Sequence, residues 1–288
     1  MTFVIQTMLN GVMLGSTYAL MALGLTLIYG ILNIPNFAHG HLYMFGAYIA
    51  FFLMTVCGVS YWLAAVISII ALAIVGLVVE RLVYHPLRST PHVNSFIAAV
   101  GLLIFLESLA LILWGGQFRH MPPVPLEQVL SIGGVTITAQ RLLVIGSTIL
   151  LIVLLQLLIK KTTIGSTIEA VAQDREGALL MGINVGRVTS LTFAIGTALA
   201  AAAAVLYCPL SLLSPGMGGV LVVKAFAIII LGGLGSIPGA IAGGFILGPV
   251  ESFGGAYVST AFKDVFAFAL LIIILIAKPS GLFGEKKP

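Results

Sequence analysis

Nine apolar runs organise this chain, at residues 4–30, 41–58, 62–80, 95–114, 142–159, 189–212, 218–234, 238–256 and 262–277. A bilayer core is about 30 Å thick and a helix rises about 1.5 Å per residue, so about 20 apolar residues span it. Lipid admits only helices or closed barrels, and these runs lack the period-two alternation of barrel strands. The pattern predicts an all-α, polytopic transmembrane helix bundle with about 8–9 membrane segments. Residues 1–288 are expected to form a single transmembrane domain. The last four runs are less regular, and 218–234 with 238–256 reads either as two spans or as one re-entrant pair.

The longest polar interruption is KKTTIGSTIEAVAQDREGALLMGINVGR at 160–187. An island of this size between apolar segments must face water. Gly165 and Gly182 flank apolar positions Ile168, Val171 and Ala172, then Ala178, Leu179 and Met181, with Gln173, Asp174, Arg175 and Glu176 between them. The spacing predicts one or two short amphipathic helices, docked on a soluble partner rather than merely connecting two spans. Ala178, Leu179 and Met181 would supply buried contact, Asp174 and Glu176 a polar rim. Gly182 would end or bend the helix. An ordinary solvated loop is the plainer alternative.

Glycine and proline concentrate at 30–48 and 232–256. Nine positions of 232–249 are Gly or Pro, and these cost roughly 1 and 3 kcal/mol per residue inside a helix relative to Ala. That predicts a break near Gly235–Pro238. Small residues also permit tight helix packing, whereas broken helices would free backbone groups to line a water-filled path.

Composition strengthens the membrane reading. The chain is 60% hydrophobic and 8% charged, with mean hydropathy +1.19, against roughly 25% charged residues in soluble domains. No Asp, Glu, Lys or Arg precedes Glu80. Most basic residues fall in 80–92, 160–187 and 278–288, which are expected on the cytoplasmic side. The loop at 115–141, Pro-rich and carrying only Arg119 and Arg141, is expected outside. Counting back places the N-terminus outside. The first apolar run is read as a retained transmembrane helix rather than a signal peptide. The net charge of +4 fits membrane topology better than nucleic-acid binding. Neither Cys57 nor Cys208 points to a disulfide framework or a metal.

Candidate chemistry is sparse. Glu107 lies deep in an apolar run, so it should face the bundle interior or be neutral. It serves either as a pathway or gate residue or as a structural hydrogen-bonding group. Asn33, Asn36 and His39 could form a polar lining. His39 and His41 are two residues apart and share no helix face, so no metal site is expected. Lys224 is expected to snorkel, and Glu251 to sit at the external interface. No Walker A pattern occurs, so no ATP site of the usual kind is expected, and no catalytic triad or paired carboxylates stand out.

Glu176-Gly177-Ala178, three residues, then Gly182 resembles the cytoplasmic "EAA" loop of bacterial ABC importer permeases, with Gly177 in place of the second member. GSTYALMALGLTLIYGIL at 15–32, NFAHG at 36–40, AVAQDREGALLMGINVGRV at 170–188, FAIGTALAAAAAVL at 193–206, GGLGSIPGAIAGGFILGPVES at 232–252 and FKDVFAFALLIIILIAKPSGLFG at 262–284 resemble high-affinity branched-chain amino-acid permeases of the LivH type. The resemblance covers nearly the whole chain in order. His41 departs from the acidic residue usual after NFAHG, and Ile168-Glu169 from the basic residue usual before Ala170. The resemblance implies a transport subunit of the bacterial inner membrane without a cofactor or enzymatic activity of its own. It also implies a second related permease, two cytoplasmic ATPases and an external substrate-binding protein as partners. A urea or short-amide permease is the close rival. An ion-coupled secondary transporter, with Glu107 carrying a proton, is the rival from another class.

Overall fold

The structure is a computed structural model that describes residues 2–88, 90–122, 124, 128–132 and 134–284. Residues 285–288 of the expected terminal cytoplasmic segment, and part of the Pro-rich loop, lie outside the described residues. The chain runs α1 (Thr2–Leu32), α2 (His39–Thr55), α3 (Tyr61–Val79), α4 (His92–Trp114), β1 (Val129–Ile132), β2 (Val135–Thr138), α5 (Ala139–Lys161), α6 (Thr163–Gln173), α7 (Arg175–Leu180), α8 (Val185–Tyr207), α9 (Met217–Gly232), α10 (Ile237–Tyr257) and α11 (Lys263–Ala277). Among the described residues, each apolar run falls on one helix. Among the described residues the two strands form a short antiparallel hairpin pairing Val129 with Thr138 and Leu130 with Ile137, and an isolated bridge joins Arg119 to Leu213.

Among the described residues, five helical segments are long and apolar enough to cross a membrane alone: Thr2–Leu32, Tyr61–Leu87, His92–Trp114, Ala139–Lys161 and Val185–Leu210. The pair α9 and α10, bent by 117°, raises the number to six if counted as one span. The expected 8–9 segments are therefore an approximate count, because α2 and α11 have only 17 and 15 residues. The break between α9 and α10 falls at 233–236, close to the expected position. Gly233 and Gly235 hold φ of 108° and 80° there, angles closed to most side chains. Ser236 then caps α10 by accepting from the Gly239 amide at 3.1 Å.

Burial sorts the helices into layers. The most apolar window of α1 is 89% buried, whereas those of α4 and α5 are 17% and 22% buried. A helix apolar all round belongs in the core, and α1 occupies it, packed against α8 and α10. The outer helices expose large apolar side chains such as Phe105 and Ile112 on α4 and Leu150 and Leu154 on α5. Exposed apolar surface on span-length helices is the face a bilayer covers. Contact between α1 and α10 is close because small residues meet: a Cβ on Gly15 would lie 2.8 Å from the Gly244 carbonyl oxygen.

Polar contacts define the two ends of the bundle. At one end Gln6 exchanges hydrogen bonds with the Thr136 backbone at 2.7 and 3.0 Å, and Arg141 donates to Asn10 at 2.7 Å. This places the start of α1 beside the 115–141 segment. At the other end the Tyr84 hydroxyl donates to Asn36 at 2.9 Å. The Phe283 amide donates to Gly232 at 2.8 Å, which brings the final described residues to the α9–α10 break.

Candidate coupling hairpin and translocation path

The polar island folds as two short capped helices. Thr162 opens α6 by accepting from the Gly165 amide at 3.1 Å. Ile168 and Val171 are buried against the bundle, so α6 lies with its apolar face inward. Asp174 stops α6 and starts α7, its Oδ1 accepting from the amides of Glu176 and Gly177 at 3.0 Å each. An Asp that caps with its side chain leaves the helical angles, here at φ −146° and ψ 104°. A Cβ at position 177 would stand 2.5 Å from the Asp174 carboxylate. Gly177, the departure from Glu-Ala-Ala, therefore accommodates this cap.

The far end of α7 is a Schellman motif. The Ile183 amide donates to Ala178 and the Gly182 amide to Leu179, both at 3.0 Å, with Gly182 at φ 80°. This pattern of bonds requires a left-handed residue at Gly182. The cap turns the chain into α8, where Asn184 accepts from the Arg187 amide at 3.0 Å.

What the hairpin presents differs in part from the expectation. Leu179, Leu180 and Met181 are 55%, 89% and 82% exposed, and Asp174, Glu176 and Gly182 are exposed beside them. Ala178, expected on the docking face, is instead buried in the chain's own core. It is the residue that seats α7, and Leu180 takes its place at the tip. A six-residue helix is too short for sequence periodicity to fix which side faces in.

The candidate path residues do not form one lining. Asn33 is exposed and ends α1 at φ 53°. Asn36 is buried, its carbonyl accepting from both the Tyr84 hydroxyl and the Ala38 amide, so it holds a turn. His39 is fully buried and neither ring nitrogen has a partner. Glu107 is 40% exposed, and its Oε2 lies 3.5 Å from Nε2 of the buried His41. Glu107 is thus only partly shielded, and the residue it meets is the one that departs from the family pattern. Further along α2 the hydroxyls of Tyr43 and Tyr48 are also buried without partners. Buried polar groups normally find partners, so this row marks α2 as a helix that water or a polar ligand would satisfy. Among the described residues no cluster of three or more His, Cys, Asp or Glu could hold a metal.

Two buried ion pairs escaped the sequence reading. Lys224 neither snorkels nor stands alone: it is buried, 2.6 Å from Glu251 and 2.8 Å from Asp264. Glu251 is likewise buried within the bundle and accepts from the Tyr18 hydroxyl at 2.9 Å. At the other end Glu80 is buried and bonded to Arg88 and to the Ser190 hydroxyl on α8. A lone charge in an apolar run is costly enough to demand a partner, and that was the available signal.

A lipid-facing helical bundle carrying one exposed, doubly capped hairpin defines a polytopic membrane protein of the permease class. Residues 7–275 match the family described as branched-chain amino acid transport system / permease component, and the chain belongs to that family. It is 39% identical to the high-affinity branched-chain amino acid transport system permease protein BraD of Pseudomonas aeruginosa, across 98% of this chain and 96% of that protein. It is 38% identical to LivH of Escherichia coli over the same shares of each chain. In fold it is similar to a chain of PsaBC from Streptococcus pneumoniae, at a TM-score of 0.51 and 13% identity, covering 98% of this chain and 94% of that one.

Proposed function

We propose that the chain is the membrane-spanning permease subunit of an ABC importer for branched-chain or other hydrophobic amino acids, powered by separate ATPase subunits. The observation that carries the coupling role is the hairpin tip. Leu179, Leu180 and Met181 stand exposed in the last turn of α7, which the Schellman bonds of Gly182 and Ile183 close. Fully burying such a side chain is worth roughly 1.5–3 kcal/mol, so a groove on a soluble subunit is the natural place for all three. Glu176 and Asp174 rim that contact, and Arg175 stands between them.

The end of the bundle that carries 80–88, 160–187 and 278–284 is the cytoplasmic end of an inner-membrane protein, following the excess of Lys and Arg there. A second related permease packs beside this chain, two ATPases bind from the cytoplasm, and an external binding protein delivers substrate. The path runs along α2, where unpartnered polar groups offer transient contacts to a zwitterion, while the apolar neighbours suit an aliphatic side chain. Glu107 stands half-exposed beside it as a gate residue.

The test is to place single cysteines at 179, 180 and 181 in the assembled complex and crosslink to the ATPase. Efficient crosslinks that rearrange with ATP are expected. Crosslinks absent at all three positions would overturn the docking role.

A further inference from the structure

A cavity of about 600 Å³ opens where the π-helical turn after α3 meets the first turns of α8. Arg81, His85, Asn184, Arg187, Ser190 and Leu191 line it. Glu80 also borders it, but that carboxylate is fully buried and bonded to Arg88 and Ser190, so its charge is already answered. Arg81 and Arg187 are both exposed, and among the described residues neither has an acidic partner. Two arginines without acidic partners therefore border one concavity. The start of α8 adds the positive end of a 23-residue helix.

We propose that this cavity holds the phosphate of an anionic lipid headgroup, with Arg81 and Arg187 as its charge partners. Guanidinium groups match phosphate oxygens in charge and geometry. The lipid, rather than free phosphate, follows from the wall of the cavity. Leu191 lies four residues beyond Arg187, on the same helix face, and is 41% exposed. A headgroup seated between the arginines would run its acyl chain up that face, whereas inorganic phosphate would leave Leu191 uncovered. Basic pockets between membrane helices at the cytoplasmic surface attract anionic headgroups in general. The bound lipid would brace the base of α8, which begins five residues after α7 ends. The inference rests on the proposed orientation but not on the substrate.

The experiment uses the whole detergent-purified complex, exposed to phosphatidylglycerol or to phosphatidylcholine, with retained lipid counted by native mass spectrometry. The wild type should retain phosphatidylglycerol selectively. Arg81→Gln with Arg187→Gln should weaken that retention by roughly fivefold per arginine removed, while Arg81→Lys with Arg187→Lys should keep most of it. A thermal melt of each variant separates loss of the site from loss of the fold. Equal retention by the wild type and the double Gln variant would overturn the proposal. Displacement of the lipid by millimolar inorganic phosphate would overturn the lipid as the source while leaving a phosphate site. Loss of the ATPase subunits from the Gln variant with lipid retention intact would assign the surface to the ATPase instead. Failure of the complex to take up amino acids would count against the transport reading without touching these lipid counts.

Discussion

Lys224 Nζ lies 2.6 Å from Glu251 Oε1, and both side chains are shut away from solvent. The two residues sit on the two arms of the bent pair α9 and α10. Tyr18 of α1 touches both, and Asp264 of α11 reaches the same ammonium group. Four helices are therefore tied at one point. Removing Glu251 leaves the buried Lys224 with only the partly exposed Asp264 as its ion partner, and removing Lys224 leaves the buried Glu251 with only Lys263 at 3.8 Å; breaking a buried pair outright costs about 3–5 kcal/mol, which bounds the loss here. Lys224→Met or Glu251→Leu alone should lower the melting temperature and the yield of solubilised protein sharply. The double replacement should recover much of the loss, because it removes the buried ammonium and the buried carboxylate together and leaves unpaired only Asp264 and Lys263, both partly exposed. A double variant as unstable as the worse single variant would show that the pair is not the unit.

Glu107 and His41 make a looser relationship, at 3.5 Å with the carboxylate half-exposed. Glu107→Gln keeps the shape and a hydrogen-bonding group, so uptake should persist. Glu107→Leu removes the carboxylate nearest His41, whose ring nitrogens already lack hydrogen-bond partners. Uptake should fall by roughly tenfold, about 1.4 kcal/mol on the transport step. Normal expression and uptake by the Leu variant would remove Glu107 from the path.

Gly182 holds φ 80° at the end of α7. Forcing a side chain into the left-handed region costs roughly 1–2 kcal/mol, more for a β-branched residue. Gly182→Val should therefore misplace Leu180 and Met181 while leaving the distant spans folded. The expected phenotype is a complex that still hydrolyses ATP but no longer links hydrolysis to uptake. Measuring both activities on the same preparation decides it, and unimpaired uptake would refute the role of the cap.

Much of this architecture was legible before any coordinates. The apolar runs marked nine helices because lipid allows little else. The density of Gly and Pro marked the break at 233–236, and Gly182 read correctly as a helix end because its chemistry is local. The misses share a physical cause. Glu80 and Ser190 are 110 residues apart, and Lys224 meets Tyr18 across 206. Such pairings are set by how helices pack, and a single sequence carries no record of that. Ala178 was assigned to the docking face, but α7 is too short to declare its own phase. The polar lining was also drawn too broadly. Asn36 proved to hold a turn, whereas His41, read as a departure, proved to be the group that meets Glu107.

The most direct measurement is uptake of radiolabelled leucine into vesicles containing this chain, its partner permease and the ATPase subunits, with the binding protein added at the outer face. The account predicts accumulation that requires ATP and the ATPase, and that collapses when Leu179, Leu180 and Met181 are replaced together by Glu. Uptake driven by an ion gradient in vesicles holding this chain alone would contradict it.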